Sequence, residues 1–296
     1  MSKYNYEQFK QKLLEQLQAE LGEDAELCVT VVRRNNQREK EGIYIRKAGI
    51  NMVPVLFLSD LYEEYRAGGK MEMCVERIIN ATDRKSYQIP NILPEWDVAK
   101  EQLQMYLVKK EWNEEWLAEV PHQECCDLVL LCRVIIAKAD SGTAFSNVTY
   151  STLDYWGIEQ EELWKAAWKK LNEEEFEIRD IVSLIGEIAG NTEELEECEI
   201  AGVQYVMTNP ERQYGAAGLL RKDMLKQFAM EKGCSFYILP SSLHEIILMP
   251  DRGNFNTEEL KEMVKEVNAT FVEREEWLSD TVYYFNCETE KVECMS

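Results

Sequence analysis

Residues 214–250 read YGAAGLLRKDMLKQFAMEKGCSFYILPSSLHEIILMP. The spacing of apolar residues over the first nineteen positions predicts a helix, and Gly233 supplies the stop that a helix C-terminus favours. CSFYILP and EIILMP are β-rich runs on either side of Pro240, Ser241 and Ser242, so they read as two strands joined by a short turn. Working outward, QYVMTN is a strand before this unit. After Pro250, Asn256 with Glu259 three positions on forms a capping-box pattern for the helix TEELKEMVKEVNATF, and VYYFNC is a final strand. The result is a C-terminal α-β-β-α-β portion over residues 201–296, with the segment after Cys287 expected to fray.

The preceding chain completes an α+β class with mixed sheets and packed helices. In the N-terminal α+β portion, residues 1–140, Asn5 caps an amphipathic helix in which Phe9, Leu13, Leu17 and Leu21 recur every four residues. ELCVTVVRR and GIYIRK flank a polar stretch and predict a hairpin. VPVLFLSDLYEEY starts as a strand and turns helical at Ser59, a good cap. CDLVLLCRVIIAK, residues 126–138, is the longest apolar run and predicts a central strand buried on both faces, with TAFSNVTY as its hairpin partner. Residues 141–200 read as a helical segment broken at Gly157, with IRDIVSLIGEIAG as its last helix and EELEECE as a solvated loop.

Residues 159–199 hold fourteen acidic and four basic side chains, which excludes DNA binding by the helix pair around Gly157. The whole chain carries a formal charge of −22, from 55 acidic and 33 basic residues. Such a surface repels phosphate backbones and anionic lipid heads, so neither nucleic acid nor membrane is an expected partner. An unknown protein or small molecule is. The nine cysteines form no C-x-x-C pair, which argues against a disulfide framework or a zinc ribbon, and MSKYNYEQFKQKL lacks the apolar core of an export signal. The expected compartment is the cytoplasm, and no cofactor fingerprint is present.

Chemistry concentrates in two turns, because the only histidines are His122 and His244. His244 with Ser241 or Ser242 would give a hydrolase its base and nucleophile, with Glu245, Glu124 or Asp127 orienting the ring and backbone N–H groups at 215–217 forming an oxyanion hole. No G-x-S-x-G elbow accompanies them. The competing expectation is that the serines satisfy turn backbone groups and His244 bonds a neighbouring loop. No H-E-x-x-H or H-x-x-x-H spacing marks a metal site. Tyr214, Gly215 and Ala216 are candidate ligand-binding residues at a helix start, although G-x-x-G is far from a phosphate-loop fingerprint and close packing of small residues explains it as well. Trp112, Trp116, Trp156, Trp164 and Trp168 read as core or interface. On balance the chain reads as a binding or regulatory protein without catalytic activity, with the hydrolase as alternative.

Three segments together, VPVLFLSDLYEEY at 53–65, VPHQECCDLVLL at 120–131 and YGAAGLL with ILPSSLHEIILMP at 214–250, resemble a bacterial family of about 300 residues that is described as a domain of unknown function. The resemblance implies an α+β cytosolic protein and assigns no activity or catalytic residue.

Overall fold

The computed structural model describes residues 4–21, 25–36, 38–50, 53–85, 93–139, 142–189 and 203–295. The protein is α+β, with three sheets whose described strand pairings are antiparallel. The chain falls into two compact units, one of residues 1–34, 38–94 and 138–143, the other of residues 35–37, 95–137 and 144–296.

In the first unit, α1 (Tyr6–Glu20) begins as the sequence predicts: Asn5 accepts from the Gln8 N–H while the Gln8 side chain accepts from the Asn5 N–H. Its Phe9, Leu13 and Leu17 are fully buried. At about 1.5–3 kcal/mol for each buried apolar side chain, that stripe outweighs the cap, which contributes roughly 1 kcal/mol. Asn5→Ala is therefore expected to lower stability by about 1 kcal/mol without loss of fold, measurable as a shifted urea midpoint; a loss above about 3 kcal/mol would contradict the ranking. β1 (Ala25–Arg34) and β2 (Arg38–Lys47) form the expected hairpin, and β3 (Leu56–Phe57) is a two-residue strand on β2. α2 (Leu58–Arg66) starts earlier than expected: Phe57 holds the cap position, and the Ser59 hydroxyl donates to Asp60 inside the helix. α3 (Met71–Lys85) buries Met71, Cys74, Val75 and Ile78, one helical stripe, against the same core.

In the second unit, α4 (Trp96–Ala99) leads into β4 (Leu103–Lys109), then α5 (Glu114–Leu117) and β5 (Gln123–Cys125). β6 (Leu128–Ala139) lies between β4 and β5 and also pairs with β7 (Gly142–Asn147), as its apolar run requires. α6 (Tyr150–Trp156) is capped by a Thr149–Thr152 box and ends at Gly157, whose φ of 68° is left-handed. α7 (Gln160–Glu173) follows. The expected helix from residue 178 is divided: β8 (Glu177–Asp180) pairs with β9 (Tyr205–Thr208), and α8 (Ile181–Ala189) begins only afterwards. EELEECE falls outside the described residues.

Gly215–Leu220 forms a short 3-10 stretch in place of the first turns of the predicted helix, and α9 (Lys222–Lys232) follows, closed by left-handed Gly233. β10 (Phe236–Leu239) and β11 (Ile246–Pro250) pair across the SSLHE turn. α10 (Thr257–Phe271) has Asn256 as its cap, but the side chain accepts from Glu258 N–H and not through the Glu259 box. β12 (Val282–Asn286) pairs with β10, and β13 (Lys291–Met295) pairs with β12, so the segment expected to fray is a strand. The second sheet runs β13-β12-β10-β11-β9-β8. Trp156 and Trp164 are buried and Trp112, Trp116 and Trp168 half-buried, which makes all five packing residues of this unit.

Candidate functional site

The SSLHE turn is held by its own polar groups. Ser242 Oγ accepts from the His244 backbone N–H at 3.0 Å, and Ser242 N–H donates to the Glu245 carbonyl at 3.3 Å. The His244 carbonyl in turn accepts from Thr208 Oγ1 at 2.8 Å. His244 Nδ1 accepts from the Tyr214 N–H at 3.2 Å, which places the ring proton on Nε2, 3.4 Å from Glu276 Oε1. The lone pair that a general base needs is thus committed to a backbone amide, and Ser242 Oγ is an acceptor for the backbone. His122 has its own partner, the Val120 carbonyl 3.0 Å from Nδ1. Of the suggested orienting carboxylates, Glu124 pairs with Lys110, and Asp127 belongs to a different cluster.

Tyr214 has φ 59° and Arg212 φ 51°, two non-glycine residues in left-handed backbone within one loop. Each costs on the order of 1–3 kcal/mol, and such strain persists where surroundings over-determine it. The surroundings are visible. Asn209 is fully buried, accepts from Gln213 N–H, and donates to the Gln213 carbonyl and to Glu174 Oε1. Ala216 N–H donates to the Leu243 carbonyl at 3.3 Å. At Gly215 a Cβ would stand 2.6 Å from the His244 carbonyl oxygen and 2.7 Å from Asn209 N, so only glycine lets the two backbones approach this closely.

What Tyr214 packs against is a residue that sequence reading passed over. Arg133, in the middle of β6, is 2% exposed. Its guanidinium carbon lies 3.6 Å from the Tyr214 ring centre, 4.3 Å from that of Phe145 on β7 and 5.6 Å from that of Tyr106 on β4. Phe145 and Tyr106 meet Tyr214 edge-on, at 72° and 74°, so the three rings form a corner around the charge. Arg133 Nε and Nη2 both donate to Gln104 Oε1, the cross-strand neighbour on β4, at 2.9 and 2.5 Å. Among the described residues three buried side-chain polar atoms lack a hydrogen-bond partner, Asn35 Oδ1, Asn268 Oδ1 and Arg133 Nη1, and only the last is part of a charged group. Burial lowers the Arg133 pKa, and burial raises that of Glu174, which hydrogen bonds from Asn209 and Gln104 offset in part. A buried cation, an adjacent carboxyl pushed toward neutrality and an aromatic wall are together a site-like arrangement.

A second polar cluster is self-contained. Lys109 Nζ has four oxygens within reach of its three N–H groups, those of Asp127 at 2.6 Å, Asp280 at 2.8 Å, Ser279 at 3.1 Å and Thr281 at 3.2 Å, and Asp127 also accepts from Ser279, Thr281 and Tyr283. Burial opposes the Lys109 charge, but the two aspartates prevail and hold its pKa above the usual lysine value. A lysine kept protonated is no base for Ser279, itself fully buried, so this cluster is a structural tie between β4, β6 and the chain entering β12. A surface groove of about 650 Å³ lies along α7 and is lined by Trp96, Lys100, Glu101, Glu162, Lys165 and Lys169. Lys100 pairs there with Asp97, and Lys169 with Glu101 and Glu173, so charges of both signs compensate each other. Among the described residues no group of three His, Cys, Asp or Glu side chains can hold a metal ion, and no helix is long and apolar enough to cross a membrane.

The model of the family described as Family of unknown function (DUF5688) matches residues 6–287. The chain belongs to that family. No curated protein and no solved structure matches it. The DUF5688 match takes in both polar clusters and stops short of β13.

Proposed function

We propose that this chain is a non-catalytic binding protein whose ligand seats at the corner formed by Arg133, Tyr214, Phe145 and Tyr106. The observation that carries this reading is the unpartnered Nη1 of a buried Arg133. An unmet donor on a charged group costs about 1–3 kcal/mol or more, and a ligand acceptor would meet it. The engaged ring nitrogens of His244 favour binding over hydrolysis at the neighbouring turn. The formal charge of −22 supports a reading without nucleic-acid partners. The free thiols of the eight described cysteines support a reducing, cytoplasmic setting.

The test is a thermal-shift screen of the purified full chain against small fragments of positive, negative and zero charge. Some fragments are expected to raise the Tm of the wild type and to lose that effect in Arg133→Met. The ligand-free variant is expected to stay within about 1–2 kcal/mol of the wild type or above it, since replacing a poorly paired buried charge by an apolar side chain is commonly neutral or stabilising. A screen in which wild type and variant respond alike removes the site. Stoichiometric fluorophosphonate labelling of Ser241 or Ser242 would instead favour the hydrolase.

A further inference from the structure

We infer that the ligand taken at Arg133 is a small monocarboxylate with an apolar, planar body. The inference rests on the binding reading above and names its chemistry. Arg133 has no carboxylate partner of its own: its two occupied nitrogens share one neutral amide oxygen, Gln104 Oε1. The nearest acid, Glu174, is reached through that amide and through Asn209. Glu174 acts on this charge only across Gln104, and burial pushes its own carboxyl toward neutrality, so an anion that meets the free Nη1 completes the site.

The number of donors sets which anion. Gln104 takes Nε and Nη2, so Nη1 alone remains, with two N–H groups to give. These two N–H groups diverge, so one of them serves a single carboxylate oxygen. A phosphate dianion would bring three terminal oxygens and a second charge near Glu174, with one nitrogen to receive it. The rest of the wall is largely aromatic: Tyr106 and Phe145 meet Tyr214 edge-on while the guanidinium lies over the Tyr214 and Phe145 rings, so a flat apolar group extends packing that is already there. Phe145 is the most exposed of the three, at 39%, whereas Tyr106 is fixed by its hydroxyl on Asn147 Oδ1. The Phe145 ring is thus the one a ligand displaces on its way to the buried guanidinium.

Matched probes on one ring test this: benzoate, benzamide, benzylamine and phenyl phosphate, titrated calorimetrically into the full chain and into Arg133→Met and Arg133→Lys. Benzoate is expected to bind at least 10-fold tighter than each of the others, to lose detectable binding in Arg133→Met and to weaken 10-fold or more in Arg133→Lys, whose point charge lacks the planar fork. Equal or tighter binding of benzamide, benzylamine or phenyl phosphate, still abolished in Arg133→Met, overturns the ligand class and leaves the site in place. Failure of all four probes, with fragment binding elsewhere indifferent to Arg133, overturns both. If Arg133→Met does not fold, the probe ranking in the wild type and the Arg133→Lys comparison decide the same question.

Discussion

Asp127→Ala is expected to destabilise the protein by about 3–5 kcal/mol, the range found when one partner of a buried charge pair is removed. The loss is large because Asp127 accepts from four side chains, Lys109, Ser279, Thr281 and Tyr283, and alanine removes that shared acceptor, leaving Asp280 as the charged partner of Lys109. Against total stabilities of roughly 5–15 kcal/mol this is a sizeable fraction. The pH dependence follows from the direction of the shift. Burial alone would raise the Asp127 pKa, but the bonds from Lys109, Tyr283 and Thr281 together pull it below the ordinary value of 3.8. Its contribution is fully present above that ordinary value and is lost as pH falls through the lower folded-state value. Urea titrations between pH 7 and pH 3 should therefore show wild type and variant converging only at the acid end. A constant gap across that window, or a loss below about 1 kcal/mol at pH 7, would sink the assignment.

Gly215→Ala is expected to cost about 2–3 kcal/mol, at the upper end for overpacking, because the new Cβ meets, besides Thr208 Oγ1, two backbone atoms, the His244 carbonyl oxygen and Asn209 N, that no side-chain rotation moves away. The displacement should open the Tyr214 N–H to His244 Nδ1 bond. With only two histidines in the chain, His122 serves as an internal reference for imidazole NMR. The His244 resonances should move and those of His122 stay, together with a lowered denaturation midpoint. Unchanged His244 resonances in a folded variant would show that the contact between the 209–215 loop and the 241–245 turn is looser than the structure implies.

Much of the architecture is legible before any coordinates. The capping box at Asn5, the periodic stripe of α1 and the apolar run of β6 each follow from local spacing, and each is found. Where local rules misled, a tertiary partner decided. Ile178 fits the helical spacing of Ile181, Val182, Ile185 and Ile188, yet residues 177–180 become strand because β9 offers an edge. The segment after Cys287 looks unsupported until β12 is seen beside it. The candidate site was half legible. Tyr214 and Gly215 stand out at a glycine-bearing helix start and His244 in a separate polar turn, and the structure puts the two segments in contact. Arg133 is a charge at the centre of the run 126–138, which reads as buried on both faces, and that mismatch is its signal. Its partners Gln104, Phe145 and Glu174 are not local in sequence, so no spacing could join them to it.

β13 on the rim of the six-stranded sheet has an effect on how the molecule behaves among its copies. An exposed strand edge is a template for another chain, and a bare β12 would offer Val282, Tyr283 and Phe285 to any passing strand. β13 takes that place and shows exposed Lys291 and Glu293 in their stead. Charged side chains on the outermost strand oppose strand-to-strand stacking, so this edge of the sheet carries its own protection against polymerisation.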